Sequence, residues 1–169
     1  MSEEGDAVYR WIVFLHVLGA FTFVLAHGAS ASATFKLRRE TSRERIAALL
    51  DLSSASLRVM YLALLVMLLA ALALGFLGSW WGRGWIWLAL GLLLAESAAM
   101  WALATRPFSR LRQALGPPHL SGGEPQPAVS PASAELVIAC SAAIHPLAIT
   151  VVGLGGLALI VWLMQSKPF

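Results

Sequence analysis

In a chain this apolar, the side chains able to do chemistry are few. His16 and His27 lie eleven positions apart in YRWIVFLHVLGAFTFVLAHGASASAT, residues 9–34. At 3.6 residues per turn that spacing is close to three full turns, so both imidazoles share one helix face, roughly 16 Å apart along the axis. A third histidine, His145, stands in IHPLAITVVGLGG, and one carboxylate, Glu96, in LLLAESAAMW. Imidazoles in apolar helices ligate metals or bridge helices by hydrogen bonds. For ligation the expected metal is haem iron, because no Cys, Asp or second His stands at the short spacings of a tetrahedral zinc site. Copper is the alternative. Met60 and Met67 lie seven apart on one helix face and Met100 is on the next helix, although methionines at such spacing also serve as plain packing.

His27 and His145 are expected at similar depth on the first and last helices, facing each other as a bis-histidine pair. Gly156 follows His145 by eleven positions and is expected near the depth of His16. There Gly153, Gly155 and Gly156 offer bare backbone against which a flat macrocycle can lie. The same glycines, with Gly28 and Ser32, equally suit close helix packing. Pro146 cannot donate to the carbonyl of Ala142 and is expected to kink its helix beside His145. Glu96, near mid-helix, must be protonated, paired or turned to a wet cavity. It reads either as a proton relay or orienting partner of a histidine ring, or as a neutral acid bonded to a neighbouring helix. Arg58 either snorkels to the surface or pairs with haem propionates, with Arg10 and Arg83 as counterparts at the other end.

Positioning these groups falls to long apolar helices. Of 169 residues 59% are hydrophobic and 12% charged, and mean hydropathy is +0.75, values of a polytopic membrane protein. Four runs, about 8–34, 55–78, 84–105 and 133–164, exceed the ~20 helical residues that cross a hydrocarbon core. Backbone in lipid must satisfy its own hydrogen bonds, so such runs are helices. The expected fold is all-α, a four-transmembrane-helix bundle forming a single membrane domain over residues 1–169.

The net charge of +3 does not indicate nucleic acid, because the basic residues cluster in two loops. Lys36, Arg38, Arg39, Arg43 and Arg45 fill the first connection, whose segment from Glu40 to Leu52 suits a short interfacial helix. Arg106, Arg110 and Arg112 open the third. Positive-inside bias places both loops in the cytoplasm and both termini outside. Trp80, Trp81, Trp85 and Trp87 around the second connection, with Trp11 and Trp162, read as an interfacial belt. The stretch of about 106–130, ending GPPHLSGGEPQPAVSP, reads as a flexible cytoplasmic loop in which His119 is solvated. Ser130-Pro131 is the expected cap of the last helix. The acidic start MSEEGDAVYR is unlike a signal peptide, so the first helix is expected to be retained. A solitary Cys140 rules out a disulfide framework or CxxC motif. No nucleotide loop or nucleophile–base pair is recognisable.

The opening YRWIVFLHVLGAFTFV resembles the first helix of small bacterial four-helix membrane families: the copper-resistance-D-like proteins, the HemJ-type protoporphyrinogen oxidases and a related group of predicted integral membrane proteins. Shared are an aromatic or apolar run, Leu-His, and a small residue two or three positions on, here Leu15-His16-Val17-Leu18-Gly19. The resemblance implies that His16 is a haem ligand and that the chain lies in a bacterial or archaeal cytoplasmic membrane as a multi-pass protein. The expected function is a b-type haem protein, with one or two haems between the first and last helices. It would carry electrons across or within the membrane to a redox partner or quinone, as a carrier or a haem-dependent oxidoreductase, alone or as a homo-oligomer. The alternatives are a copper or haem transporter and a cofactor-free accessory subunit of a larger membrane complex.

Overall fold

A computed structural model describes residues 3–121 and 124–168 of the chain. Met1 and Ser2 of the acidic amino terminus, Gly122 and Gly123 of the expected loop, and Phe169 lie outside the described residues. The order is α1 (Glu3–Leu37), α2 (Arg43–Leu77), a 3-10 turn (Trp80–Gly82), α3 (Gly84–Leu115), β1 (His119–Ser121), β2 (Glu124–Gln126), α4 (Ala134–Ala142) and α5 (Pro146–Ser166). The protein is all-α apart from one small hairpin. Its four long helical stretches, α4 and α5 together forming the last, are long and apolar enough to cross a membrane.

Every helix extends beyond its apolar run, for local reasons. Glu3, Glu4 and Asp6 occupy the first turn of α1 and Lys36 its last, each at the helix end whose dipole favours its charge. The segment expected as a separate interfacial helix is instead the start of α2. Ala- and Leu-rich RERIAALLDL holds no Gly or Pro, so nothing stops the helix. The serines that follow are satisfied within it or across to α1: Ser54 donates to Leu50 O, Ser56 to Leu52 O, and Ser53 pairs with Ser30 of α1 at 2.8 Å. Helix α3 likewise passes through Pro107 and ends at Gly116, which adopts a φ of 94°. Pro107 removes one internal bond, yet Leu111, Ala114 and Leu115 beyond it are buried, and their burial holds the last turns in place.

The expected loop of 106–130 is therefore mostly structured. Its middle is an antiparallel hairpin pairing His119 with Gln126 and Ser121 with Glu124. Its stem is tied back to α3, with Val129 N donating to Gly116 O and Ala132 N to Ala114 O, both at 2.9 Å. The cap of α4 is Ser133, whose Oγ accepts from Leu136 N at 3.3 Å, three residues beyond the expected cap. Between α4 and α5 the helix breaks rather than kinks: Ala143–His145 interrupt it and Pro146 is the first residue of α5. There the missing N–H costs nothing.

Helix α1 packs along α2, α5 sits between α1 and α3, and α4 packs on α3. Gly19 allows the first pairing, since a Cβ there would lie 3.1 Å from Met67 Cβ and 3.2 Å from Ala63 O. Gly28 faces open space, so this expected packing glycine has no such role. One apolar core closes the basic end, built from Leu37, Ile46, Leu50, Leu111, Val137 and Ile144 among others. A smaller one, Ala89, Ile160 and Leu163, joins α3 to α5 near the opposite end. Between them the apolar stretches are only 6% to 28% buried, and Phe21, Leu25, Leu62, Leu94 and Trp101 stand exposed. So large an apolar surface calls for hydrocarbon or a partner to cover it.

At the end opposite the basic core, the 3-10 turn folds back on α2. The Trp80 and Trp81 indoles lie over Gly78 and Gly75, where an added Cβ would meet them at 1.6 Å and 2.7 Å. Trp80 packs edge-on against Trp85, Trp81 against Phe76 and Trp87, and Trp87 Nε1 donates to Trp81 O.

Candidate functional site

Helix α5 presents Gly153 and Gly156, one turn apart, to its two neighbours. From α1 comes His27, which is 4% exposed. A Cβ at Gly153 would stand 2.3 Å from its Nε2 and 2.4 Å from its Cε1. From α3 comes Glu96. A Cβ at Gly156 would stand 2.6 Å from its Oε2. Three helical residues rise about 4.5 Å, so an imidazole and a carboxyl from different helices reach adjacent levels of one glycine face. Phe23, one turn before His27, lies parallel to its ring at 6.4 Å between centroids. His27 Nε2 and Glu96 Oε2 are both buried without a hydrogen-bond partner among the described residues. Buried polar atoms are nearly always paired. Two orphans on one face mark it as a place where the fold gives up stability.

His16 lies elsewhere on α1, turned to α2. Its Nδ1 is 3.0 Å from Met67 O. A carbonyl oxygen only accepts, so Nδ1 carries a proton in this bond, which selects the tautomer whose lone pair is on Nε2. The close approach at Gly19, three residues on, brings that carbonyl within reach.

The expected pairing of His27 with His145 is not what the fold builds. His145 is exposed at the break before α5, eight positions from Gly153, or roughly 12 Å of helical rise. Counting residues from a helix end measures depth only while the helix is unbroken, and α4 turns aside onto α3. Gly156 correspondingly meets Glu96 and not the level of His16. Arg58 is exposed on α2, and Met67 is buried against Gly19. Met100 packs on the basic-end core.

A haem on His27 Nε2, held between α1 and α5, does not fit this packing. Gly153 Cα can be no farther than roughly 3.8 Å from His27 Nε2, one C–C bond beyond the Cβ contact. An iron and the thickness of a macrocycle cannot stand between them. Nor do three His, Cys, Asp or Glu side chains gather anywhere among the described residues.

Sequence reasoning missed a polar group at the basic end, where Arg112 donates to Ser54 Oγ and Arg43 to Ala132 O. The Ser30–Ser53 pair lies nearby on α1 and α2. Its signal was present as arginines inside helical runs facing serines at helical spacing. No protein-family model, curated protein or solved structure matches the chain.

Proposed function

We propose that the chain is a multi-pass integral membrane protein, a four-helix bundle with basic loops cytoplasmic and both termini outside. Its work is to pass protons through the bundle interior, with His27 and Glu96 the exchanging groups. The observation that carries this is their convergence, each with an unpartnered polar atom, on Gly153 and Gly156 of one helix. Ionisable groups at membrane depth are costly and are kept for function. Imidazole can accept a proton at one nitrogen and release it from the other, and a carboxyl can hold or give one. Bare glycine backbone between them leaves both side chains free to turn without a Cβ in the way. From this centre His16, turned to α2, lies toward one end of α1 and the serine–arginine group toward the other, as the next polar stations.

The test is proton flux into vesicles carrying the purified protein, driven by a valinomycin-clamped potassium gradient and read with a trapped pH dye. Wild type should acidify the lumen, and His27→Phe and Glu96→Gln should each slow it on the order of a hundredfold. Flux equal to that of empty vesicles, or variants as fast as wild type, refutes the reading.

The His16–Met67 hydrogen bond favours a second reading. A histidine ligand is normally oriented by its other ring nitrogen donating to a carbonyl, as Nδ1 does here, leaving Nε2 to hold a haem iron or copper. A haem there would supply one-electron chemistry toward a redox partner or quinone, as the family resemblance implies. A reduced optical spectrum with an α-band lost in His16→Ala would support it, and colourless protein from haem-supplemented cells would dismiss the haem.

A further inference from the structure

The end of the bundle opposite the basic core holds an open-sided cleft of about 440 Å³, lined by Gly78, Ser79, Trp80, Arg83, Trp85 and Lys167. Two of the six are cations and none carries a carboxylate. Among the described residues two non-glycine positions adopt a positive φ, Ser79 at 53° and Lys167 at 44°, and both line this cleft. That backbone region is unfavourable for any residue with a Cβ and is kept where position matters. In Lys167 it closes α5, the residue's N–H reaching Leu163 O at 2.9 Å, and it also carries the ammonium 3.9 Å above the Trp80 ring. Arg83 lines the same cleft from the residue preceding α3. The tryptophans form the floor: Trp85 is buried, and Trp80 meets it edge-on at 5.5 Å. Beside the opening stand exposed Phe76, Leu77 and Trp87.

We propose that this cleft binds the phosphate of an anionic phospholipid headgroup, with Arg83 and Lys167 on the phosphate and the acyl chains along the exposed Phe76 side of α2. Guanidinium and ammonium groups supply charge-assisted hydrogen bonds to phosphate oxygens. Indole walls suit the boundary between headgroup and hydrocarbon. The apolar flank selects a lipid over free phosphate, because it offers a place for chains that inorganic phosphate lacks. The inference rests on the helices lying in lipid but not on the proton path, since neither cation belongs to the His27–Glu96 centre.

The experiment is native mass spectrometry of the full chain in detergent, titrated with phosphatidylglycerol or phosphatidylcholine, with and without millimolar inorganic phosphate. Wild type should retain phosphatidylglycerol preferentially, and R83Q/K167Q should bind it roughly tenfold more weakly, while phosphatidylcholine binding is the same in both. Indifference to inorganic phosphate assigns the site to lipid. Competition by inorganic phosphate, with a tryptophan fluorescence change absent in the variant, keeps the phosphate site and assigns it to the free anion. Equal retention of both lipids by wild type, or equal affinity of wild type and variant, overturns the proposal. Both side chains are exposed, so the variant should keep its helical far-ultraviolet dichroism and its proton flux. Loss of flux alone would bear on the proton reading and not on this one.

Discussion

Gly153→Ala tests the central contact directly. The added methyl would arrive 2.3 Å from His27 Nε2 and 2.4 Å from Cε1, more than 1 Å inside ordinary van der Waals separation, taken as roughly 3.5 Å. Either the imidazole leaves its rotamer, at about 0.5–1.5 kcal/mol, or α5 moves off α1, at the roughly 1–3 kcal/mol typical of overpacking. Against this, replacing Gly by Ala within a helix gains about 1 kcal/mol. Gly155 supplies the control, being two residues away on α5 with nothing within 4 Å of its Cβ position. Gly155→Ala should be neutral or stabilising, and Gly153→Ala should lie roughly 1–3 kcal/mol below it. Equilibrium unfolding in mixed micelles measures both. The decisive comparison is the double-mutant cycle with His27→Ala, which removes the obstructing ring. There Gly153→Ala should behave like Gly155→Ala, giving a coupling on the order of 1–3 kcal/mol. Additive effects would show that His27 does not rest on Gly153, and the glycine-face argument would fail with them.

Replacing His16 by Phe keeps the ring's bulk but removes the donor to Met67 O. Stability should fall by about 1 kcal/mol in the same unfolding assay, an ordinary net hydrogen bond. Glu40 Oε1 accepts from Ser42 N at 3.0 Å and Thr41 N at 2.9 Å. These bonds, that to Ser42 foremost, hold its carboxyl below the usual glutamate range. A depressed folded value stabilises above the unfolded one and the benefit vanishes as pH falls through the folded one. Stability should therefore decline on acidification below the ordinary glutamate value, and Glu40→Gln should lose that part of the acid limb. In Gly78→Ala the methyl would meet Trp80 Nε1 at 1.6 Å, so the indole must move. Near-ultraviolet dichroism should change and lipid selectivity should weaken, while an unchanged spectrum would contradict the stacking of Trp80 on Gly78.

The four helical stretches were legible because apolar runs longer than a bilayer crossing admit little else. Their ends were not. Helix α2 begins at Arg43 because nothing in RERIAALLDL opposes a helix, and hydropathy does not register a charged helix that continues an apolar one. The third apolar run ends at 105 but α3 does not, continuing through Pro107 because the burial of Leu111 and Leu115 outweighs a single lost backbone bond. His16, His27, Glu96, Gly153 and Gly156 were all visible as residues out of place in apolar helices, but their partners were not. The break at Ala143–His145 shifted the register of α5 by two turns, so His27 meets a glycine where a histidine was expected. Pro146 signalled that break, but its sequence does not say in which direction α4 leaves.

The bonds from Val129 to Gly116 and from Ala132 to Ala114 close the base of the hairpin on α3 before α4 begins. A Cβ at Gly116 would lie 2.6 Å from Val129 O, so the closure depends on glycine there. With its base clamped, the strands His119–Ser121 and Glu124–Gln126 stand beyond the closure, β1 lying against α3. Enlarging a closed loop costs only about 0.6 kcal/mol per doubling of its length. Insertions after Gln126, whether an epitope, a fluorophore site or a whole folded module, should therefore leave the helices in place.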